Sequence, residues 1–113
     1  MCEAVTLPPL TQLPYEFELR EGEGLQFIFR SELPIDLLLT NTSDYDAWRR
    51  ADGLTAPLLV YAEALDSTGD ATNLAVPADG GYSAVLVNEN ARAVDVAVEI
   101  RISPAALPHE PTA

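Results

Sequence analysis

The sequence predicts an all-β fold: a single antiparallel β-sandwich of about seven or eight strands, of jelly-roll or Greek-key type, with one short helix near residues 43–52. Three observations predict it. Apolar residues recur at every second position in several segments, the spacing of strands with one buried face. Clusters of Gly, Pro, Asp and Asn interrupt these segments about every ten residues, as turns do in sandwiches. The chain has 113 residues, 48% of them hydrophobic, which is enough for one core in one domain.

The elements follow in order. Residues 1–14 read as a Pro-rich arm with a strand available over residues 3–8, residues 15–103 as the β domain, and residues 104–113 as a Pro-rich tail. In "YEFELR", Tyr15, Phe17 and Leu19 alternate with Glu16, Glu18 and Arg20. "LQFIFRS" repeats the pattern with Leu25, Phe27 and Phe29 inward, and the intervening "EGEG" suits a hairpin turn between two neighbouring strands. "PIDLLLTN" and "PLLVYAEAL" are apolar on both faces, as in covered strands, with Pro34 and Pro57 placed where a strand begins. Asp36 interrupts the first of these and needs either solvent or a partner such as Arg101. "DSTGDATN" reads as a turn, "NLAVP" as a short strand, "ADGG" as a tight turn and "YSAVLVN" as a further strand. Last, Val94, Val96, Val98, Ile100 and Ile102 alternate with Ala93, Asp95, Ala97, Glu99 and Arg101, and a slip of one residue would bury two carboxylates and an arginine.

The helix is predicted from "SDYDAWRRADG". Ser43 and Asp46 have the spacing of a cap, Asp44 and Asp46 lie at the positive end, Arg49 and Arg50 at the negative end, and Gly53 falls where a helix stops. Tyr45 and Trp48 stand three apart on one face. They either plug an open end of the sandwich or, if exposed, form a partner-binding surface.

Composition narrows the functions. The net charge is −12 and all six basic residues are arginine, so the surface repels nucleic acid and the absent lysine removes Schiff-base chemistry. No apolar run is long enough for a membrane span. His109, the sole histidine, lies in the Pro-rich tail, which leaves no packed histidine for a Ser-His-Asp or Cys-His arrangement and too few His and Cys for zinc. Catalysis is therefore not expected. Calcium is the cofactor to weigh, because Asp66, Asp70 and Asn73 supply oxygen ligands within one segment, although the same residues are ordinary turn formers. Cys2 is the only cysteine, so no internal disulfide is expected. With Met1 as the native start the expectation is a cytoplasmic protein; if the chain is a trimmed one, Cys2 followed by "EAVTLPPLTQLP" has the look of a lipoprotein anchor and tether.

The order "GEGLQFIFRSELPIDLLLTN" and then "VPADGGYSAVLVNENARAVDVAVEIRI" resembles the bacterial pre-peptidase C-terminal domain and related GOLD-type β-sandwiches. Asp36 to Leu39 match the "D-L-Y-L"-like strand of those families, and Pro77, Gly80 or Gly81, Tyr82 and Val87 match their "P-x-x-G-x-Y-x-x-x-V" strand. The resemblance spans residues 15–103 and implies an accessory module, secreted or lumenal, that binds a partner, a ligand or calcium. The expected function is accordingly a non-catalytic protein-interaction or assembly module. Its partner is a protein, basic by charge complementarity, or a second copy of the chain; the alternative is a calcium-stabilised accessory domain of a secreted or lipid-anchored system.

Overall fold

A computed structural model describes residues 2–50 and 60–104, the side chain of Arg50 excepted. The elements are β1 (Cys2–Leu7), β2 (Thr11–Leu19), β3 (Gly24–Asn41), α1 (Thr42–Arg50), β4 (Val60–Ala75), β5 (Gly80–Asn88) and β6 (Val94–Ser103). They build one antiparallel, six-stranded sheet in the order β1-β6-β3-β5-β2, with β4 on the other side of β3. The fold is all-β with one short helix, as expected.

The strand count differs because two pairs of expected strands are each one long strand. β3 joins "LQFIFRS" to "PIDLLLTN" and runs for 18 residues. Its buried apolar residues Leu25, Phe27, Phe29, Ile35, Leu37 and Leu39 are all odd-numbered, so the same face turns toward the main core along the strand. Its neighbour changes midway: residues 24–31 pair with β6, and residues 36–41 pair with β5. Pro34 lies in this changeover, where no β5 or β6 ladder needs its missing amide hydrogen. "DSTGDATN" is likewise not a turn but part of β4, which follows β3 along its other side. The turn-forming residues instead make a β-bulge: the register shifts between Arg30 and Ile35, Asp66 adopts φ of 50°, and the Ser67 hydroxyl bonds the Gly69 backbone.

β2 and β3 are not a hairpin. β2 pairs with β5, whereas β3 pairs with β4, β5 and β6. Tyr15 of β2 nevertheless meets Phe27 of β3 edge to face, with ring centroids 5.5 Å apart. That contact joins strands that are not sheet neighbours, so the sheet is curled with its two halves facing across one core. Phe27, Val96 and Ile100 come from one half, and Leu37, Ala84 and Leu86 from the other.

The arm expected over residues 1–14 contributes β1 and the first residues of β2, and β1 pairs with β6 of its own chain. Three crossings between the halves are tied together at one end. The Asn88 side chain bonds the carbonyls of Leu7, Pro8 and Arg92, and Asn90 bonds those of Pro34 and, through its own carbonyl, the Leu10 amide. At the other end Asp79 accepts from the Glu21 amide, and Val76 exchanges backbone bonds with Gly22 and Glu23.

The end strands β1 and β2 are latched by Tyr15, whose hydroxyl donates to Glu3 Oε2 at 2.6 Å. Burial, then the hydrogen bond to Glu3 and its charge, push the Tyr15 phenol well above its usual range. A pKa raised on folding means that the contribution is intact below the unfolded value near about pH 10 and is lost as pH rises toward the folded value. Tyr15→Phe is expected to cost about 1 kcal/mol near neutrality. It should also lessen the alkaline fall in stability, compared by urea melts at about pH 8 and about pH 11. An unchanged alkaline slope in the variant would contradict the latch.

Candidate functional site

The helix forms nearly where expected, but its cap is different. The Asn41 side chain accepts from the Asp44 amide at 2.6 Å, which makes Asn41 rather than Ser43 the N-cap. Asp44 lies in the first turn, and Asp46 meets Arg49 at 3.6 Å on the surface. Gly53 lies outside the described residues, as does Pro57.

α1 packs on β3 and β5, and Thr42 shares a hydrogen bond with Ser83 of β5. Ser83, Val85 and Thr40 lie on the face of the sheet opposite the main core, yet all are fully buried. Tyr45 is buried with them, 1% exposed, and donates its hydroxyl to Gln12 Oε1 at 3.0 Å. Trp48 stacks on Tyr45 at 6.2 Å and is half-buried, while the Arg49 guanidinium sits 5.5 Å from the Tyr45 ring centre. Burial raises the Tyr45 pKa, and the nearby Arg49 opposes the rise. The aromatic pair thus lies on the outer face of one half of the sheet, and only Trp48 retains accessible surface.

The candidate calcium ligands are not brought together. Asp66 sits at the bulge and its amide donates to Asp36 Oδ1 at 2.7 Å, so the partner of Asp36 is a backbone amide; Arg101 pairs with Glu99 instead. Asp70 stands opposite Phe29 and Asn73 opposite Gln26 in a regular stretch of β4, which places their side chains on opposite faces. Among the described residues no three His, Cys, Asp or Glu side chains converge as metal ligands. Moving from chelator to millimolar calcium is therefore expected to leave the melting midpoint unchanged. An upward shift of several degrees, as a ligand near 100 times its dissociation constant gives by adding about 2.7 kcal/mol, would contradict that placement.

Of the concave features among the described residues, two adjoin residues already discussed. A polar cleft of about 80 Å³ lies among Pro34, Asp36, Asp66, Glu89 and Asn90. A broad shallow groove of about 760 Å³ crosses the outer face of the other half-sheet, over Ala4, Ile28, Arg30, Ala97 and Glu99, with Cys2 at its side. Among the described residues every buried side-chain nitrogen and oxygen has a hydrogen-bond partner.

The feature that residue patterns did not single out is the free side of β4. This strand is 16 residues long and, among the described residues, pairs with β3 alone. The other two end strands are differently guarded. β1 has six residues, and β2 contains Pro14. β4 contains no proline and no basic residue, and its charges are Glu63, Asp66 and Asp70. No helix among the described residues is long and apolar enough to cross a membrane. The sequence matches no known family model and no curated protein.

Proposed function

We propose that this chain is a non-catalytic protein-interaction module whose partner adds to the free edge of β4. The observation that carries this reading is the 16-residue strand whose second side is unpaired among the described residues. An open row of backbone N–H and C=O groups is a ready template for another strand, and sheets that are not used this way usually shorten or block such an edge. Burial of Tyr45 supports the same choice, since it removes half of the aromatic pair at α1 from reach of a partner. An accessory role of this kind agrees with what the likeness to pre-peptidase C-terminal and GOLD-type domains implies, without depending on it.

The test is retention of a protein partner from source-cell lysate by the immobilised chain, repeated with Trp48→Ala. Specific retention that survives Trp48→Ala, with an unchanged melting curve, is the expected result. Loss of retention in a folded Trp48→Ala protein would move the interface to α1. Retention of no protein at all, or steady turnover of an ester, glycoside or phosphodiester substrate, would overturn the reading.

A further inference from the structure

We infer that the partner segment is a basic, extended stretch of chain, and that it pairs with residues 71–75 of β4 through the backbone groups of Asn73 and Ala75. The inference rests on the interaction-module reading and specifies its chemistry. Its geometry comes from the end of β4. Val76 donates its N–H to Glu23 and accepts from the Gly22 amide, so both of its backbone groups point toward the β3 side. Backbone groups in an antiparallel strand alternate between its two sides. Leu74 and Thr72 therefore face β3, and Ala75, Asn73 and Ala71 face the free side. The Ala71 amide agrees, since it is taken by the Asp70 carboxylate at 2.8 Å rather than by the ladder.

Charge selects the occupant. The strand from Val60 to Ala75 carries three carboxylates and no base, on a chain of net charge −12. Two copies joined edge to edge along β4 would set these carboxylates near one another, and like charges across strands are destabilising. An approaching segment with Lys or Arg is drawn in by the same field and meets Asp66 and Asp70, both exposed, on either side of Gly69. Thus the acidic edge discourages self-association while leaving the strand open to a partner of opposite charge.

Proline substitution separates this edge from the fold. At position 73 it removes an amide hydrogen that points away from β3, and the preceding Thr72 is already extended, as a residue before proline must be. Ala75→Pro does the same at the next outward position and serves if Asn73→Pro does not fold.

The experiment uses a phage-displayed library of random octapeptides selected against the full chain. Enriched peptides are expected to carry Lys or Arg at alternate positions. Asn73→Pro or Ala75→Pro should weaken them about tenfold or more, the equivalent of one or two lost backbone hydrogen bonds. The triple change Glu63→Gln, Asp66→Asn and Asp70→Asn should weaken them further with salt dependence reduced, because it removes charge while keeping acceptors. Peptides without basic residues would overturn the charge assignment. Binding that is indifferent to proline at both positions would overturn the edge, while leaving the module reading in place if the lysate partner is still retained. Capture of a protein partner with no peptide enriched would overturn the extended-segment assignment. A dimer dissociated by Asn73→Pro would overturn the basic occupant in favour of a second copy. Neither peptide nor protein retained would remove the module reading itself.

Discussion

An Asn88→Asp protein is expected to lose about 3–5 kcal/mol of stability at neutral pH, a large part of the 5–15 kcal/mol typical of a domain. Asn88 is 1% exposed, and its amide nitrogen lies 3.0–3.2 Å from three carbonyls, those of Leu7, Pro8 and Arg92. Its carbonyl accepts from both nitrogens of Asn90 at 2.9 Å. The amide has two protons to share among the three acceptors, and aspartate has none. The carboxylate oxygen that replaces the amide nitrogen would face the three carbonyl oxygens with no proton to give them, a buried repulsion that the two donors of Asn90 on the other oxygen do not relieve. Because protonation would restore one donor, the loss should be smaller near pH 4 than near pH 7. Urea melts at both values measure it, and a loss under about 1 kcal/mol at neutral pH would show that Asn88 does not tie the crossings together.

Phe27→Ala is expected to have an effect of similar size, about 3–5 kcal/mol. The ring is fully buried and is met edge to face by Tyr15 from the other half of the sheet. Its removal leaves a void between the halves that the long strand β3 cannot close without breaking its pairing on both sides. Ile102→Ala is the contrasting case. Ile102 continues the same alternation in β6 but is 49% exposed, and its truncation should stay within about 0.5–1 kcal/mol. Equal losses for the two variants would contradict the placement of the core.

Alternation made the inward faces legible. Leu19, Leu25, Phe27 and Phe29 are buried, and so are Val94, Val96, Val98 and Ile100, with Asp95 and Arg101 outward. Alternation says nothing about which strand lies beside which, and pairing was where the sequence misled. "EGEG" has the residues of a hairpin turn, yet it carries the chain across the core, because β2 completes one half-sheet and β3 begins in the other. "DSTGDATN" has the residues of a chain reversal and Pro34 reads as a strand start, yet both lie within long strands. There the same residues supply a bulge and a gap in pairing at which the β3–β4 ribbon changes from one half-sheet to the other. Turn-forming composition marks a departure from regular pairing, and only tertiary contacts decide whether the chain reverses or bends.

The site was legible in part. Tyr45 and Trp48 share a helix face as their spacing requires, but whether that face meets solvent depended on Ser83 and Val85, which lie on a strand far along the chain. Asp66, Asp70 and Asn73 are close in sequence, and strand geometry separates them, since an odd interval such as that from 70 to 73 reverses the side-chain direction. The capping role of Asn41 has a sequence signal of its own, an amide side chain three residues before Asp44. The free edge of β4 had only a negative one: 16 residues with three acids, no base and no proline.

Docking at this edge requires β4 to present alternate backbone groups to a partner. Amide hydrogen exchange, followed residue by residue by NMR, tests this most directly. In the free protein the amides of Thr72 and Leu74, which face β3, should be protected, and those of Asn73 and Ala75 should exchange close to unstructured rates. Addition of a bound basic peptide should slow Asn73 and Ala75 selectively. Strong protection of Asn73 and Ala75 in the free protein would mean that this side of β4 is already occupied, and the proposed docking edge would not exist.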